Sequence, residues 1–128
     1  MRALILLLLI SACSFSAVAQ EDPNCPYNAN VASFDLDNGH PQLLTWGMKY
    51  PEYPITANKV LRRKMSRAMS QKFEAKYNVK LVTLEVAGLK PECIKAYNEI
   101  MFAFLDKTHG TTWRKEARPD VAFLQPRK

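Results

Sequence analysis

Seven cations crowd the middle of this chain: Lys59, Arg62, Arg63, Lys64, Arg67, Lys72 and Lys76, with Glu74 the one carboxylate between positions 57 and 77. Clustered Lys and Arg attract polyanions such as nucleic acid, anionic lipid headgroups, acidic glycans or acidic protein surfaces. Lys59, Arg63 and Arg67 recur every four residues, so a helix would carry them on one face, with Arg62 beside them. The same spacing also suits a solvated face that keeps a small protein soluble. The second group is aromatic. Trp46, Tyr50 and Tyr53 stand among Pro41, Pro51 and Pro54 in the stretch 41–56. Rigid amphipathic rings of this kind are enriched where proteins meet partners, although they also close small cores.

Other chemistry finds less support. Asp35, Asp37 and His40 invite a metal reading, but Gly39 falls too early for an EF-hand loop and no second ligand cluster backs them. A polar turn is the simpler reading, and no metal or other cofactor is expected. Ser33, Ser66 and Ser70 lack the Gly-x-Ser-x-Gly setting of a nucleophile elbow, and only His40 and His109 could serve as an imidazole base. No catalytic constellation stands out.

The N-terminus narrows the choice of partner. Met1-Arg2 is followed by an unbroken apolar run from Ala3 to Ile10 and then by Ala17-Val18-Ala19. The run is far short of the roughly 20 residues a membrane-spanning helix needs, and it matches a secretory signal with a small-x-small cleavage site. Residues 1–19 are therefore read as a signal peptide and 20–128 as a single small exported domain. Ile10-Ser11-Ala12-Cys13 also looks like a bacterial lipobox, in which Cys13 would be acylated and become the first mature residue. Export makes nucleic acid an unexpected partner. An acidic protein, glycan or lipid headgroup ranks higher, with membrane attachment only through a lipid on Cys13. After cleavage before Gln20 the net charge is +5. Cys25 and Cys93 then remain, and an exported pair in an oxidising compartment is expected to form a disulfide.

The elements that would position these groups follow from periodicity and turn residues. Residues 31–36 alternate as a short strand, ended by an Asp37-Asn38-Gly39 turn. The prolines exclude a helix from 41–56, leaving an extended loop or edge strand. Residues 57–77 read as the first main helix, with Leu61, Met65, Met69, Phe73 and Tyr77 as its apolar stripe and Asn78 at its end. Residues 79–86 form the clearest strand, burying Val82, Leu84 and Val86. Pro91 opens a second main helix over 91–107, closed by Gly110, with Cys93, Tyr97, Ile100 and Phe104 in line. A short helical piece at 113–117 and a strand at 121–124 complete the chain. The expected fold class is α+β: two main helices packed on a small, mostly antiparallel sheet.

The segments Phe73-Glu74-Ala75-Lys76-Tyr77-Asn78-Val79 and Tyr97-Asn98-Glu99-Ile100-Met101 add one further indication. With Trp113-Arg114-Lys115-Glu116, Arg118 and Asp120-Val121, the C-terminal half resembles small exported bacterial proteins of uncharacterised function. That resemblance implies bacterial export and no activity. The function expected is an exported binding or structural protein of the bacterial envelope, periplasmic, secreted or lipid-anchored, recognising an acidic partner through Lys59, Arg62, Arg63 and Arg67. The alternative is a small exported enzyme or enzyme inhibitor with its site near Trp46, Tyr50 and His40.

Overall fold

Asn28 sets the first element. Its side-chain Oδ1 accepts from the backbone N–H groups of Asn30 and Val31, at 2.9 and 3.0 Å, which caps helix α1, Ala29–Asp37. In the computed structural model of the chain, residues 22–47, 67–85 and 87–125 are described. Residues 1–21 with Cys13, the stretch 48–66, Val86 and residues 126–128 lie outside them.

Five further elements follow α1: strand β1 Gln42–Thr45, helix α2 Arg67–Tyr77, strand β2 Lys80–Thr83, helix α3 Pro91–His109 and the short helix α4 Trp113–Glu116. The architecture corrects the expected fold class. Among the described residues there are four helices and a two-stranded sheet, and that sheet is parallel, with Gln42 beside Lys80 and Thr45 beside Thr83. The reason is connectivity. Because 31–36 is helical, no antiparallel hairpin forms across the turn at 37–39. The first strand lies at 42–45, and the chain passes through α2 before β2, a helical crossover that returns the strand in parallel.

Residues 31–36 form a helix because the side chains that turn inward follow a helical period. Val31, Ala32, Asp35 and Leu36 are buried or half-buried, whereas Asn30, Ser33, Phe34 and Asp37 are exposed. Phe34, counted as apolar in the alternating reading, is 66 % exposed.

β1 is the most deeply placed element. Leu43, Leu44 and Thr45 are fully buried, because β2 covers one edge of the strand and Val121 forms an antiparallel bridge to Thr45 on the other. The strand expected at 121–124 reduces to this single bridge followed by a turn, in which Phe123 takes a positive φ of 62°. β2 is shorter than expected and only partly covered: Val82 and Leu84 are half-buried.

α3 is the scaffold of the core and touches α1, β1 and α4. Its inward face is Ile94, Tyr97, Asn98, Met101, Phe102 and Leu105. The face is rotated from the expected line, since Cys93, Ile100 and Phe104 are only half-buried. Gly110, with φ 70°, closes the helix by donating its N–H to the Asp106 carbonyl. Asn78 ends α2 in the left-handed region at φ 49°.

Tyr97 is fully buried, and its hydroxyl donates to Asp35 Oδ2 at 2.5 Å, joining α3 to α1. Burial first, and the neighbouring carboxylate second, push its phenol well above the ordinary value of 10.0. A raised folded-state value means that the protonated phenol contributes stability in full below pH 10, and the contribution declines as pH rises beyond it. The urea midpoint of the mature protein is therefore expected to fall above about pH 10. Tyr97→Phe should lower the neutral-pH midpoint by about 1 kcal/mol of stability and flatten the alkaline fall, measured by urea titrations at a series of pH values.

Candidate functional site

Of the stretch 57–77 expected as the basic helix, the described residues are those of α2. Arg67 and Lys72 are exposed on α2, while Lys59, Arg62 and Arg63 lie outside the described residues. Lys76 is engaged differently from its neighbours. Its Nζ donates to both carboxylate oxygens of Glu116 on α4, at 2.9 Å each, and the Tyr77 hydroxyl donates to the same carboxylate at 2.8 Å. The hydrogen bond from Lys76 leads in holding the Glu116 carboxyl below its ordinary value, and the same bond raises the Lys76 ammonium. Phe73 and Tyr77 are the buried residues of α2, whereas Met69, expected in the same stripe, is 43 % exposed. A four-residue spacing advances about 40° per step around a helix of 3.6 residues per turn, so such a stripe leaves the core within a few turns.

Glu74 is the only carboxylate of α2. Its Oε1 accepts from the Leu81 backbone N–H at 2.9 Å, so it faces β2 and not the cations of its own helix.

Of the aromatic group, Trp46 is described and Tyr50 and Tyr53 are not. Trp46 is half-buried, its ring edge-on to Phe123 with centroids 5.5 Å apart, and its backbone N–H donates to the Asp120 carbonyl at 2.9 Å. The indole thus packs against the C-terminal segment. Gly47 follows at φ 81°, and a Cβ there would lie 2.8 Å from Thr83 Cγ2, so a larger residue would both strain the backbone and displace the Thr83 side chain.

Cys25 and Cys93 form the expected disulfide. It ties the arm before α1 to the first turn of α3, reinforced by the ion pair of Lys90 with Asp22 and by the Lys90 N–H donating to the Asn24 carbonyl at 2.9 Å. The three residues considered for a metal are separated by their roles: Asp35 serves Tyr97, while Asp37 and His40 are exposed. Among the described residues, no group of three His, Cys, Asp or Glu is placed to hold a metal ion.

A groove of about 420 Å³ opens where the two strands begin. Gly39, His40, Gln42, Glu74, Asn78 and Lys80 contribute to its lining, with Pro41 and Val79. Gly39 at φ 71° turns the chain from α1 into β1, and Asn78 turns it from α2 into β2. Those two turns bring side chains from distant parts of the chain to one place.

Three clusters had no signature in the sequence. Asn98 is fully buried, accepts from the Leu44 N–H at 2.9 Å, and donates to the carbonyls of Leu44 and Ala122 at 3.0 and 2.8 Å. Asp106 accepts from Trp113 Nε1 at 2.9 Å and from the Arg114 guanidinium at 2.9 and 2.8 Å. Arg118 and Asp120 make a two-bond ion pair at 2.8 and 2.7 Å, with the Asp120 side chain 4 % exposed. Arginine with aspartate two or eight residues away is too common a pattern to announce such pairing, and an asparagine between Tyr97 and Glu99 reads as surface. Each group acts on backbone or side chains that only the fold brings close.

Among the described residues no helix is long and apolar enough to cross a membrane, and the disulfide fits a non-reducing compartment. No protein-family model, no curated protein and no solved structure matches the chain, so its function must be read from these residues alone.

Proposed function

We propose that the chain is exported across the bacterial inner membrane and works as a small disulfide-locked binding protein of the envelope, recognising an acidic partner through the basic helix. The mature chain is periplasmic or secreted after cleavage behind Ala19, or lipid-anchored if processing falls before Cys13. The observation that carries the reading is the placement of Glu74. The one carboxylate that could neutralise α2 from within is turned to the Leu81 N–H, and no described carboxylate forms an ion pair with Arg67 or Lys72.

Elsewhere several described acids are matched with bases within the fold: Asp22 with Lys90, Glu99 with Lys95, Asp106 with Arg114, Glu116 with Lys76 and Asp120 with Arg118. The unpaired positive charge on α2 is thus available to a partner. Glycans, acidic proteins and lipid headgroups share the chemistry this face would recognise. Attraction of this kind is screened over about 10 Å at 0.1 M salt.

The mature protein is therefore expected to bind immobilised polyglutamate at low ionic strength, with affinity falling steeply as salt rises. The combined variant Lys59→Ala, Arg62→Ala, Arg63→Ala, Arg67→Ala should lose at least about tenfold in affinity without a change in thermal midpoint. Binding that ignores both salt and the four substitutions would reject the reading. Vesicles containing phosphatidylglycerol, tested beside polyglutamate, separate a lipid surface from an acidic polypeptide.

A further inference from the structure

The groove at the start of the strands has a chemistry different from the basic face of α2 and stands independently of it. We propose that it binds a small zwitterion, an amino acid or short peptide with free ends, with the carboxylate toward Lys80 and His40 and the ammonium toward Glu74.

Three features support this assignment. The first is the mixture of charge. His40 and Lys80 are exposed and Glu74 is half-buried, and all three line one concavity. Lys80 forms no ion pair with a described carboxylate, so its ammonium is available to an anionic group.

The second is that the carboxylate is held in place before any ligand arrives. Glu74 Oε1 is fixed by the Leu81 N–H at 2.9 Å, and the second oxygen can accept from a ligand ammonium in a charge-assisted bond. A pre-positioned acceptor reduces the ordering cost of binding.

The third is the arrangement of the amide side chains. Gln42 and Lys80 are register partners at the first rung of the parallel sheet, so their side chains leave the same face of the ribbon. Asn78 lies one turn beyond Glu74 and lines the same space. Two side-chain amides and an imidazole offer donors and acceptors to a peptide unit, while Pro41 and Val79 supply an apolar wall against which a small side chain such as a methyl group can pack. A volume of about 420 Å³ lies toward the lower end of the roughly 300–1,000 Å³ usual for small-ligand sites, which suits a dipeptide.

The test is an NMR titration of the oxidised mature protein with L-alanyl-L-alanine, followed at the amides of Gln42, Val79, Lys80 and Leu81. Saturable shifts at those amides are expected, with a dissociation constant in the millimolar range because the groove is open to water. N-acetyl-L-alanyl-L-alanine, which lacks the ammonium, should bind about tenfold more weakly. Glu74→Gln keeps an acceptor for the Leu81 N–H, so the fold is retained, and it should weaken the free dipeptide by a similar factor while leaving the acetylated one unchanged. Lys80→Gln, at an exposed position, should weaken both. Absence of saturable shifts at these amides overturns the proposal. So does equal binding of the free and acetylated dipeptides with no response to either substitution. The spectrum outside the groove reports whether each variant is folded, so a loss of binding is not mistaken for a loss of structure.

Discussion

Asn98→Leu is expected to remove about 4 kcal/mol of folding stability, a large share of the roughly 5–15 kcal/mol that holds a domain of this size. Leucine fills a similar volume, so the loss arises from hydrogen bonding and not from a cavity. In the native fold the Asn98 amide joins three layers: α3 carries it, Leu44 of β1 donates to it and accepts from it, and Ala122 of the C-terminal segment accepts from it. The Leu44 carbonyl has a second partner in the Ala122 N–H at 2.9 Å and remains satisfied after substitution. The Leu44 N–H and the Ala122 carbonyl lose the bonds that Asn98 supplies. Each buried group left unpaired costs about 1–3 kcal/mol. Urea unfolding followed by circular dichroism reads the effect as a shift in midpoint at unchanged slope. A shift below 1 kcal/mol would mean that water or another donor replaces the amide, and that Asn98 is not the element joining β1 to the C-terminal segment.

Reduction of the Cys25–Cys93 bond is expected to cost a comparable amount, about 4 kcal/mol in the chain-entropy account for a closed loop of this span. The two cysteines are 68 residues apart in sequence, and the loop they close contains α1, both strands and α2. Most of the loss acts through the unfolded chain, which gains freedom when the link is cut. The remainder is local, because the arm from Asp22 to Asn28 then rests on its contacts with Lys90, the N-cap of α1 and the edge-on packing of Tyr27 against Tyr97. Cys25→Ser with Cys93→Ser, compared with the oxidised protein by urea unfolding, measures the total. Hydrogen exchange across α1 separates the local part. A double variant as stable as the oxidised protein would place the stability of the fold in its core alone.

Several elements were legible in the residues because their signals are local. Pro91 and Gly110 mark the ends of α3, Asn78 marks the end of α2, and the β-branched run after it marks β2. The pairing of Cys25 with Cys93 needed only a count and a compartment. The first strand was misplaced for a physical reason: residues 31–36 contain both an alternating and a helical pattern, and six residues are too few to separate periods of 2 and 3.6. The N-cap at Asn28 decided it, through two hydrogen bonds that composition does not reveal. Strand direction was then wrong in consequence, since direction follows from which segments are strands.

The candidate site divides along the same line. The charge of the basic helix is visible residue by residue, because charge belongs to the side chain wherever it stands. The groove is not visible, because His40, Glu74 and Lys80 meet only when the turns at Gly39 and Asn78 bring the starts of β1 and β2 together. What the sequence alone determined is the positive charge, the cysteine pair, the end of α2 at Asn78 and the start of α3 at Pro91, all properties of single residues or near neighbours. Only the tertiary structure decided the parallel sheet, the buried role of Asn98, the turning of Glu74 away from its own helix and the groove. Each of these depends on contacts between residues far apart in the chain, and long-range contacts are set by how the whole core packs.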